Sequence, residues 1–290
     1  KILFITDNFP PEVNAPAART YDHCREWVKL GADITVITCA PNFPNGKVYP
    51  GYKNSLIKKE RVEGIEVIRV WSYITANQGF AKRILDYFSF AVSSFLVGLF
   101  KRTDIIIATS PQFFTTWSAY ALSLLKRKPW VFELRDLWPE SIKTVGALKQ
   151  GKVIEILEKI ELFLYRHATA VVAVTPAFKR NLVHRGIAAE KINVIPNGTN
   201  LDLFVKSEKN EQLLSKLGLS DKFVIAYIGT HGMAHGLDFI VRCAADLENR
   251  PELHFLFIGD GAEKTKVLAL AKELDVQNCI FLDPLPKNEV

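Results

Sequence analysis

The chain has few cysteines, and none is spaced for a redox or metal motif. Cys24, Cys39, Cys243 and Cys279 stand in apolar surroundings, and no two of them form a C-x-x-C pair. Buried, reduced thiols are typical of a reducing compartment, so the cysteines favour a cytoplasmic location and argue against a disulfide-stapled domain. The opening stretch Lys1–Ile5 is too short for a secretory signal and predicts a strand.

The sequence also lacks the carboxylate pair that holds a metal-bound diphosphate, since no two aspartates stand as D-x-D. His231 and His235 have the spacing of a helical zinc pair, but Gly232 and Gly236 place them in a loop without an evident third ligand. We therefore predict no metal and no cofactor. Internal repeats and low-complexity tracts are absent as well.

Composition favours a globular protein of two domains. The 290 residues exceed one average domain, and 48% hydrophobic residues can fill two cores. The net charge of +6 favours anionic partners such as phosphate groups or acidic lipid. Nucleic acid is disfavoured, because no aromatic platform interleaves with a basic stripe.

Strand-like and helix-like runs alternate along the chain. Apolar, β-branched runs predict strands at Lys1–Thr6, Asp33–Thr38, Asp104–Thr109, Trp130–Leu134, Ala170–Val174 and Lys191–Ile195. Helical patterns lie at Ala15–Leu30, Lys82–Phe100, Thr115–Lys126, Lys152–His167 and Pro176–Arg185. A hairpin is predicted from Lys58–Arg61 and Ile65–Trp71. This alternation is typical of a doubly wound α/β sheet.

A turn at Pro196-Asn197-Gly198 divides the chain, because proline cannot extend a strand and Asn-Gly favours a turn. We predict domains at 1–197 and 198–290. After the turn the strands Phe223–Gly229, His254–Ile258 and Cys279–Leu282 alternate with helices at Leu237–Leu247 and Glu263–Leu274. That βαβαβ unit is half of a doubly wound sheet and leaves its first strand as an edge. We expect the chain to be a fragment, with the second domain incomplete.

The segment Asp7–Arg19 follows the first strand and leads into the first helix, at the sheet edge where open α/β folds bind ligands. Backbone N–H groups at the helix start would suit an anion. The small residues Ala15, Ala17 and Ala18 would let a ligand approach. The alternative is an ordinary connection with Pro16 at the helix start.

The segment Glu133–Glu140 places the charged pair Arg135-Asp136 and Trp138 directly after another strand. Arg135 is suited to hold a phosphate or sugar hydroxyls, and Asp136 to orient an acceptor hydroxyl. A solvated loop would explain the charges but not Trp138 and Pro139 among them.

Glycine-rich loops follow two strands of the second half. Tyr227–Asp238 contains three glycines that let the backbone wrap an anion, with Thr230, His231 and His235 as donors. Phe257–Glu263 carries a G-x-G, but Lys264 stands where a third dinucleotide glycine would fall, which disfavours a dehydrogenase. The alternative is a pair of flexible turns with surface histidines.

The run Ile84–Phe100 is apolar and has basic pairs at both ends, Lys82-Arg83 and Lys101-Arg102. It is too short for a membrane span and contains Asp86. A buried helix is the first interpretation. The alternative is peripheral membrane contact through 82–102, with the basic pairs aiding binding to anionic vesicles.

In order, these segments resemble the retaining GT-B glycosyltransferases of family 4. The resemblance rests on the F-P-P-E loop, R-D-L-W-P-E, I-P-N-G, I-G-T-H-G-M-A-H-G-L-D and G-D-G-A-E, which together span almost the whole chain. It extends to bacterial transferases of O-antigen, lipopolysaccharide and capsule synthesis, including the L-fucosamine type. It implies the GT-B fold of two Rossmann-like domains, here with the second one incomplete.

The resemblance implies transfer of a sugar from a nucleotide-sugar donor, usually a UDP-sugar, to a lipid-linked glycan acceptor with retained configuration. Preorganised N–H groups and cations would stabilise the departing diphosphate. The residues implied in donor binding are Gly229, Thr230, His231, Gly232, His235, Gly259, Asp260, Gly261 and Asn197. Those implied in the first-domain phosphate or acceptor loop are Pro11, Glu12, Asn14, Ala15 and Arg19, with Asp136 and Arg135 at the reacting centre. The implied location is the cytoplasm, at the inner face of a bacterial membrane.

The chain departs from the family pattern. Thr230 and His235 stand where many members have Arg and Lys, and many have His in place of Arg135 or Asp136. The family's pair of glutamates eight positions apart is missing, so we expect this chain by itself to be inactive or nearly so. Two alternatives stay open: a UDP-sugar 2-epimerase of the same fold, and a non-catalytic module that binds a sugar nucleotide.

Overall fold

The computed structural model describes residues 1–43, 46–75, 80–110, 113–137, 152–199, 201, 205 and 208–285. Trp138, Pro139 and Glu140 of the predicted site segment lie outside these residues. The chain divides into two compact units, Lys1–Thr199 and Asn200–Val290. The sequence analysis placed the boundary two residues earlier, between 197 and 198.

The first unit alternates strands with helices. Its strands are β1 Ile2–Ile5, β2 Ile34–Cys39, β3 Ile57–Val62, β4 Ile65–Val70, β5 Ile105–Thr109, β6 Trp130–Leu134, β7 Ala170–Ala173 and β8 Ile192–Val194. Its helices are α1 Ala15–Lys29, α2 Phe80–Leu99, α3 Phe113–Lys126, α4 Lys152–His167 and α5 Pro176–His184. These bounds lie within two residues of the predicted ones.

The strands of the first unit form one sheet in the order β3-β4-β2-β1-β5-β6-β7-β8. All neighbours are parallel except β3 and β4, which form the predicted hairpin and extend the sheet beyond β2. Glu63 and Gly64 connect them with φ values of 45° and 86°, which matches the twist of a tight hairpin. The chain order reverses at β1, so the crevice between the ends of β1, β2 and β5 is the expected ligand position.

Apolar side chains fill both faces of this sheet. Leu3 and Ile5 join one core with Phe90 of α2 and Leu122 of α3. Phe4, between them in β1, joins the opposite core with Cys24 of α1 and others. The doubly wound α/β prediction is therefore confirmed for this unit, because successive residues of one strand reach two separate layers.

The second unit is a smaller α/β sheet. It comprises α6 Glu211–Lys216, β9 Phe223–Ile228, α7 Leu237–Asp246, β10 Leu253–Ile258, α8 Lys264–Glu273 and β11 Cys279–Leu282. The parallel strands are ordered β11-β10-β9, so β9 lies at the edge, and Phe223, Ile225 and Ile228 on it are exposed. The short helix α6 was not predicted.

Candidate functional site

The loop between β1 and α1 is organised around the buried carboxylate of Glu12. That carboxylate accepts hydrogen bonds from the backbone N–H groups of Asn42 at 2.7 Å, Phe43 at 2.9 Å and Phe9 at 3.3 Å. Burial raises the pKa of Glu12, while these three donors oppose the rise. Glu12 thus joins the β1 and β2 loops, and its oxygens are held by the protein itself.

The start of α1 offers an anion little, contrary to the sequence expectation. Asn14 caps the helix by accepting the Ala17 N–H at 2.8 Å, and Pro16 has no N–H. The exposed Pro11 and Ala15 flank the cap. Because the free donors are mostly absent or already bonded, a phosphate role for this helix start is disfavoured.

Arg19 binds the chain segment that joins the two units. Its Nε donates to Glu133 Oε1 at 2.9 Å, and both side chains are about 5% exposed. Its Nη1 donates to Asn197 Oδ1 at 2.7 Å, and its other contacts reach the carbonyl oxygens of Ile195 and Pro196. The family resemblance implied ligand contacts for Arg19 and Asn197. The structure bonds them to each other, so Arg19 is a positioning residue for the linker.

Arg135 and Asp136 follow β6, as predicted. The backbone N–H of Arg135 donates to Ser110 Oγ at 2.9 Å, which ties this loop to the end of β5. Burial lowers the pKa of Arg135, while nearby Glu133 opposes that fall. The buried Arg135 Nη1 has no hydrogen-bond partner among the described residues, and Asp136 is exposed. Both are available at the strand ends.

A cavity that the sequence analysis missed lies beside β1, between the β1 and β2 loops and α2. It holds about 230 Å³, and its polar lining includes Asp7, Asn8, Asn42, Arg83, Asp86 and Tyr87. Burial raises the pKa of Asp7 to about 7, with Glu12 adding to the effect, and burial raises the pKa of Asp86 to about 6. Asp86 was the available signal, since it is a single carboxylate within an otherwise apolar helix.

In the second unit, the loops after β9 and β10 interlock. His231 N donates to Asp260 O at 2.9 Å, and Glu263 N donates to His231 O at 2.9 Å. A Cβ on Gly259 would lie 1.9 Å from Gly229 O. A Cβ on Gly261 would lie 2.5 Å from His231 O. Only glycine fits these two positions, which explains the G-x-G more specifically than flexibility does.

The His231 ring is enclosed by these loops. It is fully buried, and neither ring nitrogen has a hydrogen-bond partner among the described residues. Burial lowers the pKa of His231, and Lys264 adds to the effect, so both favour the neutral ring. The prediction that His231 projects towards a ligand differs from this placement, whereas Thr230, Gly232 and His235 remain at the loop surface.

The helix α7 begins directly after the first glycine loop and lacks a side-chain cap. Gly236 occupies the cap position in the left-handed conformation, with φ of 58°, and no side chain accepts from the first turn. Phe239 N–H donates to Gly236 O at 3.0 Å, and the N–H groups of Leu237 and Asp238 are left open to an anion, in contrast to those of α1.

In the described part of the chain, no cluster of three or more His, Cys, Asp or Glu side chains is arranged to hold a metal ion. The absence of metal and cofactor stays a prediction from the sequence.

Comparison with known proteins identifies the family. The model of the glycosyl transferase 4-like domain matches residues 14–198. The chain belongs to the glycosyl transferase 4-like family. WcaI of Escherichia coli, a putative colanic acid biosynthesis glycosyl transferase, is 27% identical over 97% of this chain and 71% of its own length. An alpha-galactosylglucosyldiacylglycerol synthase of Streptococcus pneumoniae is 31% identical over 47% of this chain and 38% of its own length.

Solved structures agree on the fold of this glycosyl transferase 4-like chain. HepE of Anabaena, solved with UDP-glucose, superposes with a TM-score of 0.69 at 16% identity, over 99% of this chain and 69% of HepE. Sucrose-phosphate synthase of Thermosynechococcus elongatus superposes with a TM-score of 0.73 at 16% identity, over 99% of this chain and 71% of the synthase. The fold is GT-B and the protein is a glycosyltransferase, which confirms the fold class and the enzyme class expected from the sequence.

Proposed function

We propose that this glycosyltransferase moves a sugar from a UDP-sugar to a lipid-linked glycan, with retained anomeric configuration, during assembly of a bacterial surface polysaccharide such as capsule or O-antigen. The proposal places the protein in the cytoplasm, at the inner face of the membrane.

The uncapped start of α7 carries the donor half of this proposal. Free N–H groups there follow a glycine loop with Thr230 and His235 at its surface, an arrangement suited to a diphosphate. The alternative anion position, at α1, is capped by Asn14. HepE, whose fold this chain shares, was solved with UDP-glucose, which supports UDP as the nucleotide.

The polysaccharide and lipid halves are supported by the relatives. WcaI is named for colanic acid biosynthesis, and the pneumococcal relative for a glycosyldiacylglycerol. Retention follows the resemblance to family 4, and Arg135 and Asp136 are the residues proposed at the reacting centre.

Membrane contact is supported by the outer face of α2. Leu85, Phe88 and Leu96 are each about half exposed, at helical spacing that puts them on one face. Lys82 and Arg102, at the two ends, have no ion pair among the described residues. Lys101 instead pairs with Glu66, and Arg83 turns towards the cavity. The basic contribution therefore reduces to Lys82 and Arg102. Within the described residues, α2 and the other helices fall short of the length and apolarity that a membrane span requires.

The donor half is tested by titrating UDP into the purified chain by calorimetry. We expect saturable binding that His235→Ala weakens about tenfold, since it removes a surface donor beside the uncapped helix. His184→Ala, at an exposed position of the first unit, is the matched control and should bind UDP normally. Absence of UDP binding by the wild type would refute the donor assignment.

The reaction is tested with the product of the complete gene, a panel of radiolabelled UDP-sugars and bacterial membrane lipid. A lipid-extractable product that forms only when both substrates are present supports transfer, and the anomeric coupling constant reports retention. Conversion of a UDP-sugar without lipid would favour the epimerase instead.

The membrane contact is tested by co-sedimentation with vesicles containing phosphatidylglycerol. Phe88→Ser with Leu96→Ser should abolish sedimentation, because it removes the apolar face. Phe239→Ser with Leu30→Ser changes the same residue types at exposed positions elsewhere and should leave sedimentation unchanged. Equal sedimentation of both double variants would contradict the proposal.

A further inference from the structure

The helix α2 has two opposite faces, one that lines the cavity and one that is apolar and exposed. Residues on its cavity side are Arg83, Asp86, Tyr87 and Phe90. Residues on its exposed apolar side are Leu85, Phe88, Val92 and Leu96. Each set follows the 3–4 residue spacing of one helical face, and the two sets lie about half a turn apart at ~100° per residue. The helix α2 therefore provides both the surface proposed to contact lipid and one wall of the cavity.

The size of the cavity restricts its ligand. Its volume of about 230 Å³ corresponds to roughly eight water molecules at ~30 Å³ each. It lies below the ~300–1,000 Å³ of sites for drug-sized ligands. One pyranose ring suits this space, whereas a complete sugar nucleotide does not.

The charges of the cavity restrict the ligand further. Asp7, Glu12 and Asp86 contribute carboxyl groups, against the single guanidinium of Arg83. Arg83 is also engaged, since its Nη2 donates to Tyr87 Oη at 3.0 Å. A phosphate would meet this excess of carboxylates with one partly occupied cation, so the lining disfavours anions.

One carboxyl group in the lining, that of Asp86, lacks a hydrogen-bond donor among the described residues. The side chain of Asp86 is half-buried and makes no hydrogen bond to any described residue, with Arg83 only opposing its desolvation. Asp7, by contrast, already accepts from Asn8 Nδ2 at 2.7 Å. A half-buried carboxylate without donors is costly, and neighbouring sugar hydroxyls are donors of the right kind.

We propose that this cavity is a subsite for one uncharged sugar ring of the acceptor, a hydroxyl group of which donates to Asp86, and that it rejects phosphorylated or acidic sugars. Its description as part of the acceptor rests on the proposed function. Tyr87 and Phe90 supply the aromatic surface against the ring.

The two faces of α2 would then contact the membrane and the sugar of the same lipid-linked acceptor. An α-helix with its side chains is about 10–12 Å across. With the apolar face in the membrane surface, the cavity lies about that far above it, within reach of the first sugars of a lipid-linked glycan.

The test is NMR titration of the ¹⁵N-labelled chain with neutral methyl glycosides of glucose, galactose and fucose, and with glucose 1-phosphate and methyl glucuronide. We expect at least one neutral glycoside to shift the amides of Asn42, Phe43 and the first turns of α2, and the two anionic sugars to shift none. Asp86→Asn should weaken that binding at least tenfold. Asp221→Asn, at a side chain 80% exposed in the second unit, is the matched control and should have no effect.

Tyr87→Phe serves as a second variant should Asp86→Asn lower the thermal midpoint, and we expect it to weaken binding about threefold. The proposal is overturned if no neutral glycoside binds, if the anionic sugars bind equally well, or if both cavity variants bind normally. UDP titration of the same samples separates the two proposals. UDP binding with no glycoside binding refutes only the subsite, and the reverse result refutes only the donor assignment.

Discussion

Arg19 Nη1 and Asn197 Oδ1 are 2.7 Å apart, although 178 positions separate them in the chain. The same guanidinium is paired with Glu133 at the end of β6. Helix α1, the sheet and the linker are therefore joined at one buried cation.

Replacing Arg19 should lower the free energy of unfolding of the first unit. Arg19→Met removes the guanidinium that is paired with the buried Glu133 carboxylate, and the loss of one partner of a buried pair costs about 3–5 kcal/mol. Urea unfolding followed by tryptophan fluorescence reports this unit, because every tryptophan lies before residue 139. Arg61→Met, at an exposed site, is the control. Limited proteolysis should also cut the Asn197–Thr199 segment faster in Arg19→Met. Unchanged urea midpoints would show that the pair is dispensable.

Glycine at 259 should be irreplaceable. The Cβ of Gly259→Ala would lie 1.9 Å from Gly229 O at a residue with φ of 148°, so the two loops must separate. Overpacking of this kind costs about 1–3 kcal/mol. Hydrogen exchange of the β9 and β10 amides measures the loss of stability in the second unit. Gly198→Ala meets nothing within 4 Å and should exchange like the wild type; equal protection in both variants would contradict the argument.

The β6 loop should affect turnover more than donor binding. In the product of the complete gene, Asp136→Asn should lower kcat about 10²-fold, the lower range of proton-transfer effects. The dissociation constant for UDP should stay within about twofold, because Asp136 belongs to the first unit and the glycine loops to the second. Asp246→Asn, exposed on α7, is the control. Normal turnover of Asp136→Asn would remove that residue from the mechanism.

Stability should depend on pH through Asp7. Its pKa is raised from 3.8 to about 7, so the protonated form favours the folded state. That stability is complete below pH ~4 and is lost as the pH rises towards ~7. Asp7→Asn cannot ionise, so its free energy of unfolding should rise by about 2 kcal/mol relative to that of the wild type between pH 5 and pH 8. This figure is below the full linkage value because the Asp7 side chain keeps some solvent contact. Urea unfolding at both pH values measures this, and parallel profiles of variant and wild type would exclude the effect.

The secondary structure was readable from the sequence because it is encoded locally. Continuous apolar runs such as the first four residues of Ile105–Thr109 are typical of a strand covered on both faces, and the pattern alone places it. The glycine loops were found for a similar reason, since each lies within a few residues of a strand end. The short helix α6 was missed because its six residues carry no clear period.

The contacts within the site could not be predicted from the sequence, because they join segments that are far apart in the chain. The partners of Arg19 lie 114 and 178 positions away, and nothing near Arg19 distinguishes a residue bound to the protein from one bound to a phosphate. The cavity likewise combines Asp7, Asn42 and Asp86 from three separate elements. The N-terminal cap by Asn14, which closes α1 to anions, is a local feature by contrast, since asparagine is a preferred cap residue directly before a helix.

The edge strand β9 has a consequence for the behaviour of the chain in solution. Its outer backbone groups have no neighbouring strand among the described residues, and Phe223, Ile225 and Ile228 are exposed along it. Such an edge is a template for strand addition, and two molecules meeting at β9 would extend each other's sheets. We therefore expect the purified 290-residue chain to self-associate increasingly with concentration, which sedimentation velocity over a concentration series would measure. A charged residue at position 225 would be the simplest way to keep the chain monomeric.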